Sequence, residues 1–230
     1  MEQMRSGWLE WDSRFFGYRV ARIDAGDASE SEIVAELVRY RRQGCRLVYV
    51  FSPGPLVLED FDAMLADRKR SYLLTDPRHR PVPLPVVPAQ TATEQLYDLA
   101  CQAGAYSRYW VDPKICREDA RRLYRLWLDN SLSRQFADHV LVCESDGRQT
   151  GLVTAKVKEP ELSIGLIATD SRYRGQGIGG AMVQTIVNLA AEQNLQVEVT
   201  TQADNLPACR FYERHGFSIH RQDYVYHLWL

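Results

Sequence analysis

Between an aliphatic run and an apolar helical pattern lies Asp170-Ser171-Arg172-Tyr173-Arg174-Gly175-Gln176-Gly177-Ile178-Gly179-Gly180. Leu162 to Thr169 reads as a strand before it, and Ile178, Met182, Ile186 and Leu189 fall on one helical face after it. Three alternating glycines plus Gly180 exceed what a turn requires. Glycines at such a junction let backbone N–H groups approach an anion, and the helix N-terminus adds roughly half a positive charge. The stretch reads as a pyrophosphate cradle, with a ligand-free glycine turn as the plainer alternative.

Gly175, Gly177 and Gly180 match the letter of a GxGxxG dinucleotide fingerprint, but that fingerprint belongs in the first strand–helix turn of its domain, with a ribose-binding acid ending the next strand. Here two helices and three strands come first, and strand Leu195 to Thr201 runs into Gln202. A Walker loop also fails, because Ala181 and Met182 follow Gly180 where Lys and Ser or Thr are needed.

Working outward, the order of elements predicts an α/β sheet with helices on both faces. Strands are expected at His139 to Cys143 and Gly151 to Val157, joined through Asp146-Gly147, and a helix from Pro207 ends at Gly216 before a terminal strand pair finishing in Tyr224 to Leu230. Upstream, Thr91-Ala92-Thr93-Glu94 fits a capping box, and Asp112-Pro113 looks like an N-cap with proline at N1 for the helix carrying Leu123 and Trp127. Pro77, Pro81, Pro83, Pro85 and Pro88 impose extended backbone, which sets a boundary: an N-terminal α/β domain over 1–80, a Pro-rich linker over 81–90 and a second domain over 91–230. The first part reads as strand (Tyr18 to Ile23), helix (Ser29 to Gln43), strand (Leu47 to Phe51), helix (Leu58, Phe61, Met64, Leu65) and strand (Ser71 to Thr75).

Composition bounds the rest. The 230 residues are enough for a real core, and 45% hydrophobic with 25% charged residues is globular. The 28 basic and 30 acidic residues leave a net charge of −2, too little field to collect nucleic acid or an anionic membrane, so neither is an expected partner. Cys45, Cys101, Cys116, Cys143 and Cys209 never fall in CxxC spacing, so no metal site is expected and a reducing cytoplasm is the expected compartment. No membrane-length apolar run and no signal-peptide pattern is present.

Arg174-Gly175-Gln176-Gly177-Ile178-Gly179 resembles the [Q/R]-x-x-G-x-[G/A] acyl-CoA loop of the GCN5-related N-acetyltransferase (GNAT) superfamily. Asn205-Leu206-Pro207-Ala208-Cys209-Arg210-Phe211-Tyr212-Glu213-Arg214-His215-Gly216-Phe217 is similar to its later N-x-x-A-x-x-F-Y-x-x-x-G-F segment. The two motifs stand in the family's order, and the likeness covers roughly Thr91 to Leu230. Looser matches at Leu9 to Gly17, Ser107 to Tyr109, Leu123 to Trp127 and Val199 to Gln202 are similar to two-domain members that N-acetylate a TDP-fucosamine-like sugar, a nucleotide-linked 4-amino-4,6-dideoxy sugar.

The resemblance implies a mixed, mostly antiparallel GNAT-type sheet flanked by helices and acetyl-CoA as co-substrate. It implies cofactor contacts from the strand edge Ile167, Ala168 and Thr169, from the cradle Arg174, Gly175, Gln176, Gly177, Ile178, Gly179 and Gly180, and from Asn205. Tyr212 falls on the position of the acid that protonates the departing thiolate; a core tyrosine is the alternative. Ser107, Arg108 and Tyr109 lie where the acceptor, a small-molecule amine, is expected, and Arg172, Arg210 and Arg214 are candidates for the cofactor's phosphates. The base is not identified; His139 and Glu198 compete with a water chain. The N-terminal part is either a degenerate half-copy of the fold, lacking the glycine loop, or an unrelated α/β cap. Other acceptors (a protein N-terminus, a polyamine, an antibiotic) and a non-catalytic acyl-CoA-binding module are the competing functions, and exposed C-terminal strand edges suggest a homodimer.

Overall fold

The computed structural model describes residues 3–230. The chain runs β1 (Arg5–Trp8), α1 (Glu10–Phe16), β2 (Val20–Asp24), α2 (Glu30–Arg42), β3 (Leu47–Ser52), β4 (Ala63–Leu74), β5 (Val86–Pro88), α3 (Glu94–Ala103), α4 (Arg108–Val111), α5 (Arg117–Leu132), β6 (His139–Ser145), β7 (Arg148–Lys158), β8 (Glu161–Thr169), a 3₁₀ turn (Ser171–Tyr173), α6 (Ile178–Glu192), β9 (Gln196–Gln202), α7 (Leu206–Arg214) and β10 (Ser218–Trp229). The strands form one mixed, mostly antiparallel sheet in the order β1-β2-β3-β10-β4-β9-β8-β7-β6-β5, with parallel pairs only at β2·β3 and β8·β9.

Local chemistry accounts for most element ends. Ser29 and Glu32 close a capping box on α2, and Asp146-Gly147, both at positive φ, turn β6 into β7. One sheet face packs under α2, α6 and α7, burying Val48, Val50, Tyr226, Tyr72, Val197 and Val199. The other carries α3 and α5 over Val142, Leu152 and Leu166, and α1 and α4 against Val20, Leu47 and Tyr49.

Four expectations are corrected. Residues 58–65 are not a helix; from Ala63 they belong to β4. Leu58 and Phe61 lie in the loop before β4 and pack on the core under α2, which gives them and Leu65 a helix-like spacing without a helix; within β4, Val225 opposes Asp67 while Tyr226 opposes Leu65, so Ala66 is an extra, bulged residue. Asp112 does not cap α5, which starts at Arg117; its carboxylate is taken by His227 and Trp229 on β10. Thr93, not Thr91, caps α3, and Glu94 pairs with Arg125 instead of closing a box. The terminal strand pair is a single strand, β10, hydrogen-bonded to β4 along most of its length and to β3 from Tyr224 onward, so residues 218–223 keep a side that β3 does not pair; the outer strands of the sheet are β1 and β5.

One sheet therefore runs through both sides of the Pro-rich stretch. Pro88 ends edge strand β5, where a missing N–H is tolerated, and Asn188 of α6 grips the backbone of Arg80 through both N–H (3.0 Å) and C=O (2.8 Å). Among the described residues no helix is long and apolar enough to cross a membrane, and the five cysteines are free thiols.

Candidate active site

The site begins where two parallel strands part. β8 and β9 are in register from Glu161↔Gln196 to Ile164↔Val199 and no further. Beyond that pair β8 stays on β7 as far as Thr169↔Gly151, and β9 stays on β4 as far as Gln202↔Lys69. The facing edges thus open a wedge whose walls are residues 165–169 and 200–202. A bulge starts it: Val153 opposes Ile167 but Ala155 opposes Ile164, and the Thr154 hydroxyl accepts the Leu166 N–H at 2.8 Å. A Cβ on Gly165 would sit 2.9 Å from that hydroxyl, so the bulge requires glycine there. Ile167, Ala168 and Thr169 lie on the β8 wall, and main-chain groups along it are free to pair with an extended ligand.

At the wide end of the wedge β8 enters the glycine loop. Asp170 caps the 3₁₀ turn, accepting from the Arg172 N–H at 3.0 Å and pairing with its guanidinium at 2.6 Å; those bonds hold the Asp170 carboxyl down at about 2. Both arginines of the loop are exposed, but Arg172 is held by Asp170. Gly175 and Gly177 adopt φ of +79° and +81°, with open space where a Cβ would stand. Gly177 is the N-cap of α6 and offers no side chain, so the first N–H groups of the helix are left for an external acceptor. Gln176 is exposed and Ile178 buried, anchoring the first turn. Gly179 and Gly180 serve packing: a Cβ would meet the Phe211 ring at 3.4 Å or His215 Nε2 at 3.3 Å. Gly151, unnoticed in the sequence, lets α6 onto the sheet, since a Cβ there would lie 2.7 Å from Ile178. The exposed loop, the uncapped helix and the splayed strands are compatible in charge and shape with an extended, anionic cofactor such as coenzyme A.

Asn205 caps α7 through the Ala208 N–H (3.3 Å) and reaches Thr201 at the β9 wall (3.5 Å). Tyr212, about two helix turns after Asn205, is only 3% exposed and shares its core with Ile164 and Val199, the last paired residues before the wedge. Tyr72 and Phe217 pack on its ring at 5.8 Å each. Burial pushes its phenol well above the ordinary tyrosine range, so the proton stays on at any working pH. Arg210 and Arg214 are exposed on the same helix.

Above the opposite sheet face, α4 supplies the sequence's acceptor candidates. Arg108 lies over the rings of Tyr49 (3.9 Å) and Tyr109 (4.6 Å) and donates to the Tyr109 hydroxyl at 2.5 Å, while Ser107 is buried at the helix start. The Asp112–His227 bond (2.6 Å) and the Trp229 Nε1–Asp112 bond (3.0 Å) pin the end of α4 to β10, with both Asp112 and His227 fully buried. Burial pushes His227 down to about 4; burial also opposes the Asp112 charge, but hydrogen bonds from His227, the Lys114 N–H and Trp229 outweigh it and keep that carboxyl below its usual range. The pair is thus a neutral imidazole on a carboxylate. On β4 and β9 the same face carries Asp67, Lys69, Ser71, Thr200 and Gln202.

Asp67 escaped the sequence reading because its strand read as a helix. Burial raises its carboxyl to about 7 against the pull of Arg108, a Gln202 hydrogen bond and Lys69. His139, by contrast, starts β6, two strands from the wedge, and lines a separate cavity with Pro88 and Ser131. Glu198 lies before the strands part, where it accepts from Ser163 at 3.4 Å.

Comparison with known proteins agrees with this geometry. Residues 103–217, half of the chain, match the model of the acetyltransferase (GNAT) family. The chain is 28% identical over 138 residues to the spore coat polysaccharide biosynthesis protein SpsD of Bacillus subtilis, covering 60% of this chain and 47% of that protein. It is 27% identical over 180 residues to a mycothiol acetyltransferase of Brachybacterium faecium, covering 70% and 52%. The chain spans about half the length of these curated relatives. A GCN5-related N-acetyltransferase from Sphaerobacter thermophilus superposes with a TM-score of 0.63 at 14% identity over 97% of this chain and 76% of that one. The splayed β8 and β9, the glycine loop between β8 and α6, and the family match over both motifs lead to one conclusion: the chain belongs to the GNAT acetyltransferase family.

Proposed function

We propose that the enzyme transfers acetyl directly to the amine of a nucleotide-linked 4-amino-4,6-dideoxy sugar of the TDP-fucosamine type. The observation that carries this reading is the wedge between β8 and β9, with the glycine loop and Tyr212 toward one sheet face and Arg108 among aromatic rings on the other. Acetyl-CoA supplies an activated acetyl thioester. Main-chain amides of Gly175 to Gly180, with Arg174 and Gln176 beside them, bind its diphosphate; Ile167, Ala168, Thr169 and Asn205 line its arm. A main-chain N–H near Ile167 polarises the acetyl carbonyl, and Tyr212 donates to the sulfur as it leaves.

Residues 91–230 are in this reading the acetyl-CoA half, and residues 1–80 close the acceptor cleft. Ser107, Arg108 and Tyr109 meet the acceptor: an arginine held flat among aromatic rings suits sugar oxygens, a base and a diphosphate. The relative named for polysaccharide biosynthesis supports a sugar. No covalent enzyme intermediate is needed, since Cys209 is buried with its thiol on backbone carbonyls of Gln202 and Ala203. Five free thiols suit a reducing cytoplasm.

The mycothiol acetyltransferase relatives make another small-molecule amine the second reading. Steady-state kinetics with acetyl-CoA and a panel of amines separates the two. A TDP-4-amino-4,6-dideoxy sugar is expected to exceed polyamines, peptide N-termini and other amino sugars by at least about tenfold in kcat/KM, about 1.4 kcal/mol of transition-state binding. A better acceptor outside that class overturns the sugar assignment.

A further inference from the structure

An amine that attacks a thioester must first shed a proton, and none of the residues lining the cradle can take it. We propose that Asp67 receives that proton from the acceptor's ammonium group, with Arg108 orienting the acceptor beside it; this rests on reading the cleft over β4 and β9 as the amine site.

Three observations converge on Asp67. Its strand neighbours β9, one wall of the wedge, and its side chain shares a sheet face with Lys69, directly opposite Gln202. Tyr124 of α5 packs in one cluster with Leu166 at the β8 bulge and Ala168 beside it, and its hydroxyl feels both Asp67 and Arg108. Asp67 therefore lies on the sheet face that α4 and α5 cover, one strand (β9) away from the wedge. Asp67 Oδ1 and Arg108 Nη1 are both buried without a hydrogen-bond partner. Leaving such atoms unpaired is costly, and the two needs are complementary: the carboxylate oxygen calls for a donor, the guanidinium nitrogen for an acceptor. An amino sugar brings an ammonium for the first and ring or hydroxyl oxygens for the second.

The groups around Asp67 also give it a working range. Burial raises the carboxyl most; Arg108 on α4, the hydrogen bond from Gln202 on β9 and Lys69 on β4 lower it, and Asp204 after β9 raises it again, leaving it at about 7. Tyr124, the facing group of α5, is kept neutral by its own burial. A base poised there is about half ionised at neutral pH, near the optimum for taking a proton from an amine.

The step balances. The ammonium N–H bond breaks and its proton goes to Oδ1, giving a neutral carboxylic acid and a free amine. The amine's electron pair forms the C–N bond to the acetyl carbon and the C–S bond breaks. The thiolate leaves with a proton from Tyr212, the amide nitrogen releases its second proton to water, Asp67 returns its own to solvent and the tyrosinate is reprotonated.

The test is the pH profile of kcat/KM for the best acceptor from pH 5 to 10, measured on the full chain, Asp67→Asn and Glu198→Gln. Wild type is expected to show a bell, rising as Asp67 ionises near about 7 and falling as the acceptor's ammonium is lost. Asp67→Asn is expected to be slower by about 100-fold or more at pH 7 and to rise steadily toward the ammonium pKa, since only free amine then reacts, with acetyl-CoA affinity unchanged. A bell that survives in Asp67→Asn, or disappears in Glu198→Gln instead, overturns the proposal. Carboxyl-carbon NMR of wild type reads Asp67 without turnover: a midpoint near about 7 supports it, and one below about 5 overturns it even if the variant does not fold. If no amine is acetylated by wild type, the functional reading fails, while the NMR titration still decides whether Asp67 is poised.

Discussion

At Tyr212, burial and chemistry pull in a useful direction together. A phenol sealed among Tyr72, Phe217 and Phe211 keeps its proton and can act only as a donor, which is what a departing thiolate needs. Replacing Tyr212 with Phe keeps the ring packing and removes only the donor. Turnover is expected to fall by about 10² to 10³-fold with the acetyl-CoA dissociation constant unchanged, measured by steady-state kinetics and calorimetry; unchanged kcat would remove the role. Gly177 presents the opposite case, a residue that acts through what it lacks. At φ +81° a Gly177→Ala substitution forces an alanine into the left-handed region at roughly 1 to 2 kcal/mol and puts a methyl into the open space proposed for the diphosphate. Calorimetry should then show acetyl-CoA binding weakened about tenfold or more, and undiminished affinity would place the diphosphate elsewhere.

The wedge depends on one hydroxyl, because Thr154 replaces a strand's carbonyl as partner of the Leu166 N–H. Thr154→Val keeps the shape but orphans that N–H, at about 1 to 3 kcal/mol. Thermal unfolding is expected a few degrees lower and kcat/KM reduced; a variant with wild-type kinetics would show that the bulge does not position the acetyl carbonyl. Elements whose pattern is local were legible in the sequence: the helix after Ser29, the Asp146-Gly147 turn, the glycine loop and the helix around Pro207 all stand where expected. Elements decided by distant partners were not. Loop residues Leu58 and Phe61, drawn onto the core ahead of β4, gave its start a helix-like spacing, and the pull of His227 and Trp229 took Asp112 away from α5. Gly165 and Gly151 carry no sequence signal at all, since only the atoms packed on them show why a side chain is excluded.

Across the molecule, β10 joins the two halves of the chain, with Tyr226 opposite Val50 on one side and Leu65 on the other. No local pattern announces a pairing over some 170 residues, so the shared sheet was not readable. That shared sheet brings Asp67 of β4 to within one strand of the wedge, and burying its carboxyl has a signature in stability. Because its folded pKa is raised, Asp67 contributes stability that is present below the unfolded value near 3.8 and lost as pH rises through about 7. Asp67→Asn, neutral throughout, is therefore expected to melt at a higher temperature than wild type at pH 8, by a few degrees, with the difference vanishing near pH 4; a variant less stable at pH 8 would mean the carboxylate is a favourable partner in the fold. The account as a whole rests on coenzyme A lying between the glycine loop and the parted strands. Hydrogen–deuterium exchange of the protein with and without acetyl-CoA tests this most directly. Protection is expected at amides 167–169 and 174–181 together, and acetyl-CoA binding that leaves both segments exchanging at their free rates would contradict it.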